Sequence, residues 1–274
     1  SALADLVVFD GDHYLLADIS FEKTDEQWLY QLSNAPHYYD RMEALDSLAN
    51  SDNFANISRG VKIGLKDPFW AIKTQALDYF KDVDPRTQSI LEGDLILLAE
   101  RAEKSDVRAA AIYCLSTFFD QKENVPSRSH SELYELLTWD SSYLVAGEAL
   151  KALSLVDLKT ANLIAHRELK SAKKELRETV FYVIAKNADS NDAKLIKDEF
   201  DQAQGFNLLD ASYNLLIFLQ NKTPEEYKSP LNDIYTRCAN LELWYQRYYS
   251  LEMMKRQLAE MNGEFKNELQ DVFK

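Results

Sequence analysis

The chain has 274 residues, 46% of them hydrophobic, which is enough to fill a core and argues against wholesale disorder. Its formal net charge of −14 argues against a phosphate backbone or an anionic membrane as partner. No apolar run approaches the roughly 20 residues that span a bilayer. The charge reads first as a solvated, self-repelling surface and second as a field that attracts basic peptides. Seven Gly and six Pro over this length favour long helices with short polar connections.

Taken in chain order, the first segment differs from every later one. The start, Ser1-Ala2-Leu3-Ala4-Asp5, lacks a Met and the basic and apolar regions of a signal peptide, so a fragment or processed product is expected. Leu6 to Phe9, the turn-like Asp10-Gly11-Asp12, and Tyr14 to Phe21 read as strand, turn, strand. Leu15, Ala17, Ile19 and Phe21 would share one face of the second strand. A lone hairpin is marginal in water, so this one is expected to pack on the helical part of the chain or to be the edge of a larger sheet.

Helix begins after Thr24, whose spacing to Gln27 is that of a capping box. From there, helices alternate with polar breaks at residues 33–36, 50–53, 82–85, 121–131, 187–192, 204–205 and 221–230. Asp67-Pro68 fits an N-cap followed by Pro at the first helical position.

A short amphipathic segment recurs seven times, at about 31 to 38 residue intervals, often with a small residue four positions before a bulky one. The clearest copies are Ala44…Leu48, Ala76…Phe80, Ala111…Leu115 and Ala149…Leu153. Looser copies are Val180…Ile184, Ala211…Leu215 and the set Trp244, Tyr248, Leu251. That period is the one of stacked helical hairpins, in which no hairpin buries its apolar stripe without its neighbour. The tetratricopeptide and ankyrin signatures are missing. The Asp-Val-Arg-x-x-Ala-x-x-x-Leu run at residues 106–115 resembles HEAT or armadillo repeats. The expected fold is therefore all-α, an α-α superhelix with a short N-terminal β-hairpin.

Chemistry is sparse. His13, His37, His130 and His166 are scattered, with no two at i, i+4, so the His-Glu-x-x-His zinc helix is absent. His13, His37 and His130 are expected in turns or breaks facing solvent, and His166 on a helix surface. Cys114 sits among Ile112, Leu115 and Phe118 and reads as a buried thiol, while Cys238 has no Cys or His near it in sequence. The pairs Asp25-Glu26, Asp198-Glu199 and Glu225-Glu226 are adjacent, which points their carboxylates apart on a helix and suits helix N-termini or solvated faces. Trp244, Tyr248 and Leu251 have the spacing of a packed helix face, which favours core over a ligand cage. Arg41, Arg108 and Arg177 recur at corresponding repeat positions, as residues joining successive repeats do. No catalytic, cofactor-binding or metal-binding residue is assigned.

The junction of hairpin and first helices is the most distinctive stretch. Val7-Val8-Phe9-Asp10…Ile19-Ser20-Phe21-Glu22-Lys23-Thr24…Gln27-Trp28…Gln31-Leu32…Asp40-Arg41…Ala44-Leu45…Leu48 resembles M1-family (gluzincin) zinc aminopeptidases of bacterial type, where a β-sandwich domain joins the C-terminal helical domain. The match covers about residues 6–50; beyond that only the architecture agrees. The resemblance implies that residues 1–23 are the last strands of that sandwich and 24–274 the HEAT-like solenoid. It also implies a parent enzyme whose zinc lies in an upstream catalytic domain, with peptides as substrates. The helical domain would then form a bowl limiting access to the active site. Alternatives are a free-standing HEAT scaffold for a partner protein and an adaptor that has lost its zinc site.

The small residues let neighbouring helices approach closely, so Ala111→Leu should overpack its contact by about 1–3 kcal/mol in denaturant unfolding. A neutral substitution would mean that the register of the third copy is misread.

Overall fold

The computed structural model describes residues 7–8, 10–12, 14, 22–120, 128–187, 192–220, 222–260 and 266–267. Among them the fold is all-α, with fourteen α-helices and no strand. Asp10–Asp12 forms a turn in which Asp10 takes a positive φ of 49° and its Oδ1 accepts from the Tyr14 N–H at 3.2 Å. The strands expected on either side of that turn lie outside the described residues.

The chain divides into two compact units, Ser1–Val156 and Asp157–Lys274. The first holds four helix pairs: α1 (Asp25–Asn34) with α2 (Tyr38–Ala49), α3 (Phe54–Gly64) with α4 (Trp70–Asp78), α5 (Pro85–Arg101) with α6 (Ser105–Leu115), and α7 (Arg128–Leu137) with α8 (Tyr143–Val156). The second holds three: α9 (Leu158–Glu168) with α10 (Lys174–Asn187), α11 (Asp192–Gln202) with α12 (Asn207–Leu219), and α13 (Pro224–Ala239) with α14 (Trp244–Glu260). All seven copies of the recurring segment fall on the second helix of a pair. In the first unit these second helices pack in a row, α2 on α4 on α6 on α8; in the second, α10 packs on α12 and α12 on α14.

The reason is steric. Ala44, Ala76, Ala111 and Ala149 are fully buried, and so are Leu48, Phe80, Leu115 and Leu153 four positions on. A small side chain brings two helix axes together, and the bulky one fills the groove beside it. Within the second pair the approach is so tight that a Cβ on Gly64 would lie 2.9 Å from the Ala76 Cβ. A 3-10 turn, Tyr79–Asp82, prolongs α4 and seats Phe80 in the core.

The starts of several helices are written locally. Thr24 and Gln27 make the expected capping box, Thr24 N–H donating to Gln27 Oε1 at 2.8 Å. Asp84 caps α5 ahead of Pro85, and hydrogen bonds led by those from Thr87 lower its carboxyl to about 2. Thr223 and Glu226 form a second capping box ahead of Pro224.

Two expected boundaries differ. Helix α4 begins at Trp70, not directly after Asp67, because the Asp67 carboxylate is already shared: Oδ1 accepts from Phe69 N–H at 2.7 Å, and both oxygens meet Arg41. The break expected to extend to Pro230 ends at Thr223, and Pro230 lies inside α13. The strong cap fixes the helix start, and the N–H that Pro230 lacks would have served only the Glu226 carbonyl in the first turn.

Arg41 and Arg108 join successive pairs in the same way. Arg41 Nε and Nη2 fork onto Asp67 at 2.7 and 3.2 Å while Nη1 donates to the carbonyls of Ala35 and Pro36. Arg108 forks onto Asp140 at 3.0 and 2.9 Å while Nη1 donates to the carbonyls of Ala102 and Glu103. Each carboxylate also accepts a backbone N–H, from Phe69 or Ser142, at the start of the next second helix. One guanidinium thus ties the loop of its own pair to the helix start of the next. The Arg108 and Asp140 side chains are only 14% and 13% exposed. Arg108→Ala should therefore cost about 3–5 kcal/mol, the range for stranding one member of a buried pair. Arg108→Lys keeps the charge but loses the fork. Denaturant unfolding of Arg108→Ala, Asp140→Ala and the double variant should return a clear coupling energy; additivity would dissolve the clamp.

Candidate functional site

The residues singled out from sequence scatter over both units. Cys114 and Cys238 are free and buried. Cys114 Sγ donates to the Leu77 carbonyl at 3.5 Å, and burial pushes its thiol up to about 12. Cys238 lies 3.6 Å from Ser212 Oγ, and burial raises its thiol as well. His37 is exposed at the start of α2, and His166 is partly exposed with Nε2 3.4 Å from Asp192 Oδ1. His13 lies outside the described residues.

His130 is a correction. Expected in an open break, it is instead fully buried in the first turn of α7, edge-on to Phe119 and beside Tyr134, with Nε2 3.1 Å from Glu92 Oε1 on α5. The break is shorter than its polar composition suggests, since α7 already begins at Arg128. The ring packs among aromatic neighbours, and the Glu92 carboxylate stands within ion-pair distance of its polar edge.

The aromatic end of the chain is a second correction. Trp244 is 71% exposed and Tyr248 54%, so they are not the packed face of α14. Gln246, Ser250 and Met254 are buried in their place. Arg247 donates to the carbonyls of Leu241 and Glu242, as Arg41 and Arg108 do to their own loops, and this sets the rotation of the helix. Counted from the arginine, Ser250 is then the small residue and Met254 the bulky one. Ser250 and Met254, which follow an aromatic run, thus hold the places that Ala44 and Leu48 hold on α2.

Arg177 does join successive pairs, but by a different route. Its Nη2 meets Glu199 Oε2 on α11 at 2.7 Å, and its guanidinium lies 4.8 Å from the Phe181 ring centroid. This pair sits at the mouth of a cleft of about 220 Å³ formed by α10, α11 and α12. Glu178 also lines it, with Asn207, Asp210, Ala211 and Asn214, which α12 presents at i, i+3, i+4 and i+7. Desolvation holds Asp210 above the usual carboxylate range. Sequence periodicity put Ala211 on the packed face but gave no sign that the polar residues beside it share a cleft.

In the first unit a cavity of about 360 Å³ opens between the ends of α4 and α6, lined by Leu77, Asp78, Lys81, Tyr113, Cys114 and Phe118. A π-helical turn, Ser116–Asp120, closes α6 and sets Phe118 edge-on to Phe80 at 5.4 Å. Burial raises Asp78. The lining is mainly apolar, and Cys114 in it is protonated and poorly nucleophilic. Along the starts of α2 and α4, rings lie in sequence: Tyr38 to Tyr39 at 4.2 Å, Tyr38 to Phe69 at 4.5 Å, Phe69 to Trp70 at 5.9 Å. Tyr39 and Trp70 are exposed.

Among the described residues no three His, Cys, Asp or Glu side chains gather as metal ligands, and no helix is long and apolar enough to cross a membrane.

The thiol environment makes a prediction. At pH 8 iodoacetamide should modify Cys114 only through the unfolded chain, so sub-denaturing concentrations of urea should speed the reaction in step with the fall in unfolding free energy. Rapid alkylation of the native chain at Cys114 would mean that the cavity opens far enough to ionise it.

No protein-family model matches this chain, and no curated protein matches it.

Proposed function

We propose that the chain is a non-catalytic helical-repeat domain of HEAT-like solenoid type, serving an M1-family zinc aminopeptidase as the bowl that encloses the active-site cavity and restricts peptide access. The observation that carries this reading is the junction sequence from Val7 to Leu48, where the expected strand-turn-strand leads into a capped first helix and an Arg-x-x-Ala-x-x-x-Leu second helix. The seven helix pairs with sequentially packed second helices in each unit are the architecture that such a bowl requires. The zinc, the catalytic residues and the β-sandwich would belong to the same polypeptide upstream, and peptides would be the substrates.

A second reading, a free-standing scaffold for a partner protein, is favoured by the exposed ring series at Tyr39 and Trp70. Aromatic side chains on an open edge are a common ingredient of protein interfaces.

The test has two parts. This chain, supplied with zinc and aminoacyl-nitroanilides, should give no turnover, while the full product of its gene should hydrolyse them in a zinc-dependent manner. Hydrolysis by the chain alone sinks the proposal. So does a coding sequence lacking His-Glu-x-x-His and a downstream Glu ahead of Ser1, which would leave the scaffold reading.

A further inference from the structure

We propose that the cleft between α10, α11 and α12 is a binding site for the cationic side chain of a basic peptide, received by Asp210, Asn214 and Asn207.

The first observation is an unmet polar group. Asn214 is only 5% exposed and lines the cleft, yet its carboxamide has no hydrogen-bond partner among the described residues. Buried amides are satisfied as a rule, and one turned into a cleft without a partner marks a place for a ligand atom. The second is charge. Glu178, Glu199 and Asp210 line the cleft with a single cation, Arg177, and that cation is already engaged by Glu199 and stacked on Phe181. Asp210 has no ion pair or hydrogen bond among the described residues, although its surroundings have stripped part of its water. An incoming ammonium or guanidinium restores what that carboxylate has lost, whereas an anion would have to displace Glu199 from Arg177.

The third observation is size. At about 220 Å³ the cleft falls below the roughly 300–1,000 Å³ of small-molecule pockets, so it admits one long side chain and not a cofactor. Asn207 at the outer end and Asn214 at the inner end of the same helix face offer carbonyl oxygens to either side of Asp210. A lysine or arginine entering with its aliphatic stem along Ala211 and Phe181 would bring its charge to that triad. The net charge of −14 adds attraction for a basic chain at long range. The inference stands on the cleft alone and holds under either functional reading.

The experiment uses the full chain labelled with ¹⁵N and an acetylated, amidated Ala-Lys-Ala peptide, with norleucine or glutamate in place of lysine as controls. The lysine peptide should shift the Asn214 side-chain amide resonances in a saturable manner, more weakly at high salt. Asp210→Asn should weaken it by about tenfold or more, the low end for a lost charge-assisted hydrogen bond. The melting temperatures of this variant and of the unaltered chain, compared directly, separate weaker binding from unfolding. Asn214→Ala, checked by the same melt, should weaken binding too. The proposal is overturned if about 10 mM lysine peptide leaves Asn214 unshifted. It is equally overturned if the norleucine or glutamate peptide binds as well, or if Asp210→Asn binds unchanged.

Discussion

Everything in this fold depends on how closely one second helix can approach the next. In the first unit an alanine at the crossing and a leucine or phenylalanine one turn later set that distance, and the first helix of each pair packs back against the layer so formed. The apolar stripe of any one pair has no other means of leaving water. The polar elements, from capping boxes to arginine forks, fix angles and starting points within a spacing that the small residues determine.

The helices were legible because their causes are local or periodic. Thr24 with Gln27, Asp84 with Pro85 and Thr223 with Glu226 each carry a helix start within a few residues. The small-then-bulky period identified the second helices of the first four pairs, and looser copies fell on those of the other three. Where the sequence misled, a contact distant along the chain had overruled a local preference. Asp67 divides its carboxylate between Arg41 and the Phe69 N–H, and His130 is drawn in among Phe119 and Tyr134 with Glu92 beside it from α5. Trp244 and Tyr248 have the right spacing for a core, but periodicity cannot say which of several stripes faces inward. Arg247 could have, since it stands three residues before Ser250 as Arg41 stands before Ala44.

The candidate site was the least legible part. Asn207, Asp210 and Asn214 are unremarkable in sequence, three polar residues on a helix expected to have a polar side. What distinguishes them is that Asn214 is buried without a partner and Asp210 lines the same cleft without a cation among the described residues. Both are properties of neighbouring helices, and no pattern within α12 encodes them.

The two arginine forks bind the first pair to the second and the third to the fourth. Between the second and third, the equivalent positions hold Lys73 and Ala102, so no fork forms there, and the cavity beside Cys114 lies at that same seam. That seam is closed by different ties: Ser58 Oγ donates to Asp84 at 2.8 Å, Gln88 Nε2 donates to the Phe80 carbonyl at 3.1 Å, and Lys66 approaches Asp94 at 3.7 Å. Four copies of nearly the same motif thus share one packing interval while their polar joints come in two kinds, a guanidinium fork where the second helix carries arginine and smaller separate ties where it carries lysine.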